Sequence, residues 1–299
     1  MKPWTLCFLL FNLAACSNNK LSTWVMIDVT EASKQADAHL IVFGSEDFGL
    51  IDTGFSKNKI IPFLEKHKIS HLKNIWISHP HKDHYGGVQP ILEAGIKVDR
   101  LRINVPSKSF CDIEKPWGCD YEHLTSVIAL AKSKGVIVSQ MKAGETLHQS
   151  PKVKLEALVS YSDKTSPTGR QGGINDTSVI MALTTDQNRV LFTGDLNAPL
   201  GEWLSKHSMP GLLKADLIKV PHHGTEGCAP NSFFDLTQSN FAFVTAPEDL
   251  WLSERSKRIR EYWLSHAKQV FISGIHGTLS IDLTEKPASV TKEKWWNFK

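Results

Sequence analysis

Three histidines and an aspartate stand within six residues in the run Ile77-Ser78-His79-Pro80-His81-Lys82-Asp83-His84-Tyr85-Gly86-Gly87. The run follows the apolar, β-rich Asn74-Ile75-Trp76-Ile77 and precedes a glycine pair. A loop leaving the C-terminal end of a strand can gather such closely spaced side chains into one pocket. Imidazoles at i and i+2 can share one cation while the Asp-His pair reaches a second. Imidazole with carboxylate suits zinc best, with manganese and iron within range. Histidine-rich surface turns exist, but His-x-His-x-Asp-His closing a hydrophobic strand is the pattern of a metal site.

A two-metal hydrolase needs more than one loop, because each zinc takes about four ligands with one position open to water. Asp195 is the candidate shared carboxylate, since Val190-Leu191-Phe192-Thr193 reads as a buried strand and Gly194 lets the backbone turn. Gly-Asp alone is an ordinary turn signal. His222-His223-Gly224 is stronger, because it again closes an apolar strand, Leu217 to Val220. Asp52, in Leu50-Ile51-Asp52-Thr53-Gly54, either orients a metal-bound imidazole or is a satisfied turn carboxylate. His276 reads as a turn histidine facing solvent. His39, His67, His71, His123, His148, His207 and His266 show no ligand pattern and read as structural or exposed.

The elements that must position these residues follow from periodicity. Short apolar runs bounded by Gly, Asp and Ser predict strands at Trp24–Asp28, His39–Phe43, Gly49–Gly54, Asn74–Ile77, Leu101–Val105, Val136–Val138 and Val153–Val159. In the second half, strands are predicted at Ser178–Leu183, Arg189–Thr193, Leu217–Val220, Phe241–Thr245, Val270–Ser273 and Thr278–Leu283. Helical spacing predicts helices over Lys57–His67, Gly86–Ala94, Glu122–Lys134, Gly201–Lys206 and Ser253–Ala267. Tyr161–Gly173 is polar, with a proline and three glycines, and reads as a loop. Arg255, Lys257, Arg258 and Arg260 fall on one of these helices and read as a solvated face. No linker divides the halves, and both put candidate ligands at strand ends, where open α/β sheets bind ligands. The expectation is one catalytic domain, residues 24–299, built from two βα halves.

The 299 residues are 41% hydrophobic, enough for a substantial core, and carry a net charge of +3, too mild to announce a nucleic-acid or membrane surface. Lys2 followed by a mostly apolar Trp4–Leu13 is too short for a spanning helix and reads as a signal peptide over residues 1–15. Leu13-Ala14-Ala15-Cys16 resembles a bacterial lipoprotein processing site. It implies a lipid on Cys16, a linker over residues 16–23, and the periplasmic face of the outer membrane. Cys111 and Cys119 flank a short turn-prone loop and in an oxidising compartment would bond to each other; pairing with Cys228, or no bond, are the alternatives.

Together, His79-x-His81-x-Asp83-His84, Gly194-Asp195 and the late histidine pair resemble the metallo-β-lactamase-fold hydrolases. Val220-Pro221-His222-His223-Gly224-Thr225, Leu50-Ile51-Asp52-Thr53-Gly54 and Asn175-Asp176-Thr177-Ser178 are similar to one branch, the hydrolase domain of competence DNA-uptake (ComEC-type) proteins and its stand-alone relatives. The resemblance implies an α/β fold, an αβ/βα four-layer sandwich, with two divalent cations, Zn²⁺ first and Mn²⁺ second. It assigns His79 and His81 to the first, Asp83 and His84 to the second, Asp195 to the bridge, and His223 in preference to His222 to the second. Lactamase-like, lactonase-like and glyoxalase-like members carry a third histidine for the first cation; here the slot reads Asn175-Asp176, so Asn175, Asp176 or water would supply an oxygen. Such a site accepts Mn²⁺ more readily and argues against a β-lactamase. The implied chemistry is hydrolysis by a metal-bound hydroxide, with Asp83 handling its proton and the non-ligand member of His222 and His223 donating to the leaving group. Small phosphodiesters or nucleic acid are the expected substrates. The alternatives are a lactam, lactone or thioester hydrolase, and a metal-binding envelope lipoprotein without turnover.

Overall fold

The computed structural model describes residues 22–114 and 118–292. The signal peptide, Cys16 and the C-terminal Trp295-Trp296-Asn297-Phe298 lie outside the described residues. In chain order the strands are β1 (Thr23–Met26), β2 (Ala38–Gly44), β3 (Asp47–Thr53), β4 (His71–Ile77), β5 (Lys97–Ile103), β6 (Ile137–Ser139), β7 (Thr146–Gln149) and β8 (Val153–Val159). They continue with β9 (Ile180–Thr185), β10 (Arg189–Phe192), β11 (Leu217–Lys219), β12 (Phe241–Val244), β13 (Gln269–Ile272), β14 (Leu279–Asp282) and β15 (Ser289–Lys292). One sheet runs β15-β14-β1-β2-β3-β4-β5-β6 and the other β13-β12-β11-β10-β9-β8-β7.

Alternation along the strands builds three apolar layers. Trp24, Met26, Ile41, Phe43 and Trp76 point toward the second sheet and meet Met181, Leu183, Val190, Phe192 and Phe243 there. Their neighbours Val25, Leu40, Val42, Ile75 and Ile77 point the other way, against Ile60, Leu64, Val88, Ile91, Leu124 and Val127. Those partners lie on the helices Lys57–Lys66, Val88–Glu93 and Tyr121–Ser133. On the far face of the second sheet, Ala182, Leu191 and Ala242 pack with Leu200, Leu204, Phe233, Ile259 and Trp263 from the helices Ala198–His207, Asn231–Thr237 and Lys257–His266. With both faces covered, the central strands are near-continuous apolar runs. The result is helices, sheet, sheet, helices: the four-layer αβ/βα sandwich that the resemblance implies.

Chain direction puts the chemistry at one end. β3, β4 and β5 are mutually parallel, and so are β10, β11, β12 and β13. Their carboxyl ends deliver Asp52, His79, Asp195, His223 and Thr245, and antiparallel β2 starts at the same end just after Asp37.

Several boundaries differ from the sequence expectation. Gly86–Ala94 is a short helix Lys82–Tyr85 followed by Val88–Glu93, so the aspartate and third histidine of the motif are themselves helical. The helix expected over Ser253–Ala267 is present as Lys257–His266, entered through a 3₁₀ turn, Glu254–Ser256, because Ser253 is extended (φ −71°, ψ 167°) after the helix Glu248–Leu252. Residues 174–177 form a 3₁₀ turn, and β9 starts two residues later than expected, at Ile180. The basic stretch is largely the solvated face expected, with Arg255, Lys257 and Arg258 exposed, although Arg258 also donates to the Cys228 and Ala229 carbonyls and the half-buried Arg260 to those of Trp251 and Ser253. Among the described residues no helix is long and apolar enough to cross a membrane.

Trp76 is fully buried between the sheets and its indole N–H has no hydrogen-bond partner. Trp76→Ala is expected to lower stability by about 3–5 kcal/mol. Trp76→Phe should cost clearly less, because the polar atom it deletes is unpaired. Urea midpoints of the metal-free proteins check the order; a Phe variant as weak as the Ala variant would refute it.

Candidate metal centre

Asp195 is aimed by its strand and by a glycine. β10 ends at Phe192, and Gly194 takes φ +51°, where an added Cβ would lie 2.6 Å from Ser178 Oγ and 3.0 Å from Ser78 Cβ. That serine hydroxyl accepts the Asp195 N–H at 2.9 Å. The Asp195 carboxylate therefore projects across the junction of the two sheets. Its Oδ2 lies 3.2 Å from His84 Nε2, 3.1 Å from His223 Nε2 and 4.0 Å from His79 Nε2. His223 Nε2 is also 3.3 Å from Asp83 Oδ2. Ligand atoms of Asp83, His84, Asp195 and His223 all lie within 4.8 Å of one another.

Each imidazole is fixed by its other nitrogen. His84 donates from Nδ1 to Asp52 Oδ2 at 2.8 Å, and Asp52 also accepts the Ser78 N–H at 2.7 Å and hydroxyl at 2.8 Å. Asp52 stands in the left-handed region (φ 58°) at a bulge between β2 and β3, which re-aims its carboxylate under the histidines. It thus orients an imidazole and is not a plain turn carboxylate. His79 Nδ1 lies 3.2 Å from Ser78 Oγ, and His223 donates from Nδ1 to the Thr245 carbonyl at 3.0 Å. The Nε2 atoms of His79, His84 and His223 are then buried without a hydrogen-bond partner. In the neutral tautomers those bare lone pairs face a carboxylate, an arrangement that repels unless a proton or a cation stands between. Three nitrogens and two carboxylates so disposed fit a divalent cation.

Electrostatics agree. The centre gathers four carboxylates (Asp37, Asp52, Asp83 and Asp195) and one ammonium, Lys219. Burial disfavours a charged ring, yet for His84 the Asp195, Asp52 and Asp83 carboxylates outweigh it and raise the pKa well above the usual value. For His223, Asp195 and Asp37 do the same. Burial would raise Asp195, but His223, His84 and Lys219 hold it well below the carboxylate range. Without cations, the raised pKa values of His84 and His223 favour protons there, which offset part of the negative charge.

The structure sorts the sequence-derived candidates. Asp83, His84, Asp195 and His223 converge, with His79 adjoining them. His81 turns aside: its Nε2 meets Glu114 Oε2 at 2.7 Å. Asp176 is not placed as an oxygen donor, because its two oxygens accept the Asn197 and Leu200 N–H groups at 3.0 Å and cap the helix Ala198–His207. Burial raises its pKa to about 6. Asn175 takes the open side instead, since its Oδ1 is buried without a partner on the wall of the cleft. His222 also faces the cleft, 3.4 Å from Asn175 Nδ2. Burial lowers its pKa to about 4, which favours the neutral ring. His276 bonds the Ile272 backbone, away from the cleft.

Sequence reasoning missed Asp37, Lys219 and Glu114. Lys219, 1% exposed, donates to the Gly194 carbonyl at 2.8 Å, lies 3.4 Å from Asp195 Oδ1 and pairs with Asp37. Burial opposes its charge, but Asp37 and Asp195 raise its pKa. A lysine inside the apolar Leu217-Ile218-Lys219-Val220, just before the histidine pair, was the available signal. Because Lys219 occupies the space beside Asp37, the neighbouring group Asp37, Asp52 and His84 is a support and not a second cation site.

Binding a cation must expel protons from His84 and His223, whose pKa values are raised. Zinc affinity, measured by chelator competition, should therefore rise between about pH 6 and about pH 8, with protons released on binding. Affinity that is flat or falls over that interval would contradict the assignment.

Residues 34–227 match the Metallo-beta-lactamase superfamily. ComE operon protein 3 of Bacillus subtilis (strain 168) is 26% identical over 220 residues, 74% of this chain and 26% of that protein. The chain thus spans about a quarter of that relative's length. The Zn²⁺-bound PqqB of Methylobacterium extorquens superposes with a TM-score of 0.53 at 10% identity, covering 87% of this chain and all of that one. The CmlA β-hydroxylase E377D mutant gives 0.53 at 12% identity, over 88% of this chain and 54% of its own. At these identities the two structures speak for the fold alone. With the histidine motif, the converging carboxylates and the sandwich all in place, the chain belongs to the metallo-beta-lactamase superfamily.

Proposed function

We propose that this protein is a metal-dependent hydrolase of phosphodiesters, small or within nucleic acid. The observation that carries the reading is the cleft above Asp195. It is about 560 Å³, floored by His81, Asp83, Asn175, Asp195 and His222, with Lys34, Lys82 and Arg255 at its rim. Three exposed cations around an acidic, cation-binding floor suit a substrate that brings its own negative charge. Bound divalent cations, zinc or manganese, would supply Lewis acidity and lower the pKa of a coordinated water.

The chain's own residues do the rest. His79, His84, His223, Asp83 and Asp195 would hold the cations, with Asn175 and His81 on the more open side. Asp83, 20% exposed at the cleft floor, is the carboxylate placed to take a proton from the attacking water. Neutral His222 and the Asn175 amide would hydrogen-bond the substrate's non-bridging oxygens. Lys219 holds Asp195 from behind. The proposal includes an envelope location with a lipid on Cys16; the Leu13-Ala14-Ala15-Cys16 run and the Cys111–Cys119 bond support it, since such bonds persist in oxidising compartments.

The test is turnover of bis-p-nitrophenyl phosphate, single-stranded DNA and nitrocefin by the zinc- or manganese-loaded protein. Turnover of the first two is expected, and Asp195→Ala should abolish it. Lys82→Ala and Arg255→Ala should each raise KM about two- to fivefold with kcat little changed, and added salt should erase the difference. Nitrocefin as the one substrate cleaved would overturn the reading.

A further inference from the structure

His79, His84 and His223 are oriented by Ser78, Asp52 and Thr245, each at or just beyond the end of a sheet strand. His81 is the exception. Its partner is Glu114, which arrives from a separate segment closed by the Cys111–Cys119 bond. We propose that Glu114 is the positioning residue for His81, and that the disulfide-tied segment carrying it is a part of the metal site and not merely a surface staple. The inference rests on the two-cation reading above.

Four observations support it. Glu114 has no freedom to turn elsewhere: Oε2 accepts from His81 Nε2 at 2.7 Å, and Oε1 accepts the Ile174 N–H at 2.7 Å. The carboxylate is gripped by backbone, since a Cβ on Gly118 would come within 2.2 Å of Oε2 and one on Gly173 within 2.3 Å of Oε1. Beneath it, Phe110, Cys111, Cys119 and Ile174 form a small buried cluster apart from the three main layers. Ile174 of that cluster directly precedes Asn175, whose Oδ1 is buried without a hydrogen-bond partner. With Nε2–H given to Glu114, His81 keeps Nδ1 as its available lone pair. A carboxylate behind an imidazole fixes its tautomer and ring plane and strengthens it as a ligand, and loss of such a partner typically weakens a metal position about 10- to 100-fold. The second position draws on Asp83, His84 and His223, whose histidines take their supports from Asp52 and Thr245 instead.

Burial makes the bond slow to reduce, so variants test the claim better than reductant. The full chain, its Glu114→Ala, Glu114→Gln and Cys111→Ala/Cys119→Ala forms are titrated with Zn²⁺, and bound metal is counted after desalting. Wild type should hold two cations. The Ala and double-cysteine variants should keep one at wild-type affinity and bind the other about 10- to 100-fold more weakly. Glu114→Gln, which retains a carbonyl to accept from His81, should recover part of that loss. Cobalt absorption provides a second readout, with the band of one cation altered and that of the other unchanged. Two cations at wild-type affinity in Glu114→Ala would overturn the role of Glu114, as would equal weakening of both. A wild-type protein that holds fewer than two cations would instead overturn the two-cation reading itself.

Discussion

The structure turns on one carboxylate shared between opposed groups. Asp195 offers Oδ2 to three histidines and Oδ1 to Lys219. Those contacts draw on β4, β10 and β11, two of them in one sheet and one in the other, so the carboxylate locks the sheets together where the chemistry sits. Four acidic groups against a single ammonium cannot stay buried together without further positive charge, because desolvated like charges cost several kcal/mol each. Protons on His84 and His223 supply part of it, and a bound divalent cation would supply it in their place. Metal affinity, charge balance and sheet registration are therefore one constraint seen from three sides.

The backbone is bent to satisfy it. Asp52, His222 and His223 take positive φ of 58°, 48° and 52°, and Gly194 51°, all at strand ends facing one another. Non-glycine residues in this region cost on the order of 1 kcal/mol or more each. The two histidines differ in what the strain achieves. In His223 it turns Nε2 onto Asp83 and Asp195. In His222 it turns the ring out into the cleft beside Asn175. Adjacent residues in this conformation point in different directions, which is how a single pair serves both the metal floor and the substrate wall.

Much of this was legible in the sequence. Near-continuous apolar runs gave away strands covered on both faces, and the motif at 79–84 announced its chemistry by spacing alone. Boundaries blurred where polar caps override periodicity, as at Ser253, and the edge strands β7 and β15 are too polar and short to stand out. Asp176 misled because an acidic residue in a ligand slot reads the same whether it faces a cation or two helix N–H groups; only the position of the helix Ala198–His207 decides. Glu114 left no local signal. Its partner lies 33 residues away, and the link is made by a disulfide and a pair of glycines.

The two candidate cation positions are consequently unlike in kind. One is made from Asp83, His84 and His223, whose histidines are fully buried and whose supports, Asp52 and Thr245, belong to the sheets. The other is made from His79, the partly exposed His81 and the Asn175 amide, and is backed by a small cluster outside the main core. Rigid, anionic surroundings favour tight binding and a fixed geometry. An open position with amide oxygen and a tethered imidazole favours exchange and tolerance of harder ions such as Mn²⁺. On the two-cation proposal, a metallo-β-lactamase-fold chain without a third histidine would build its sites by different means, the buried one from the sheets and the exposed one from the segment that a disulfide holds against them.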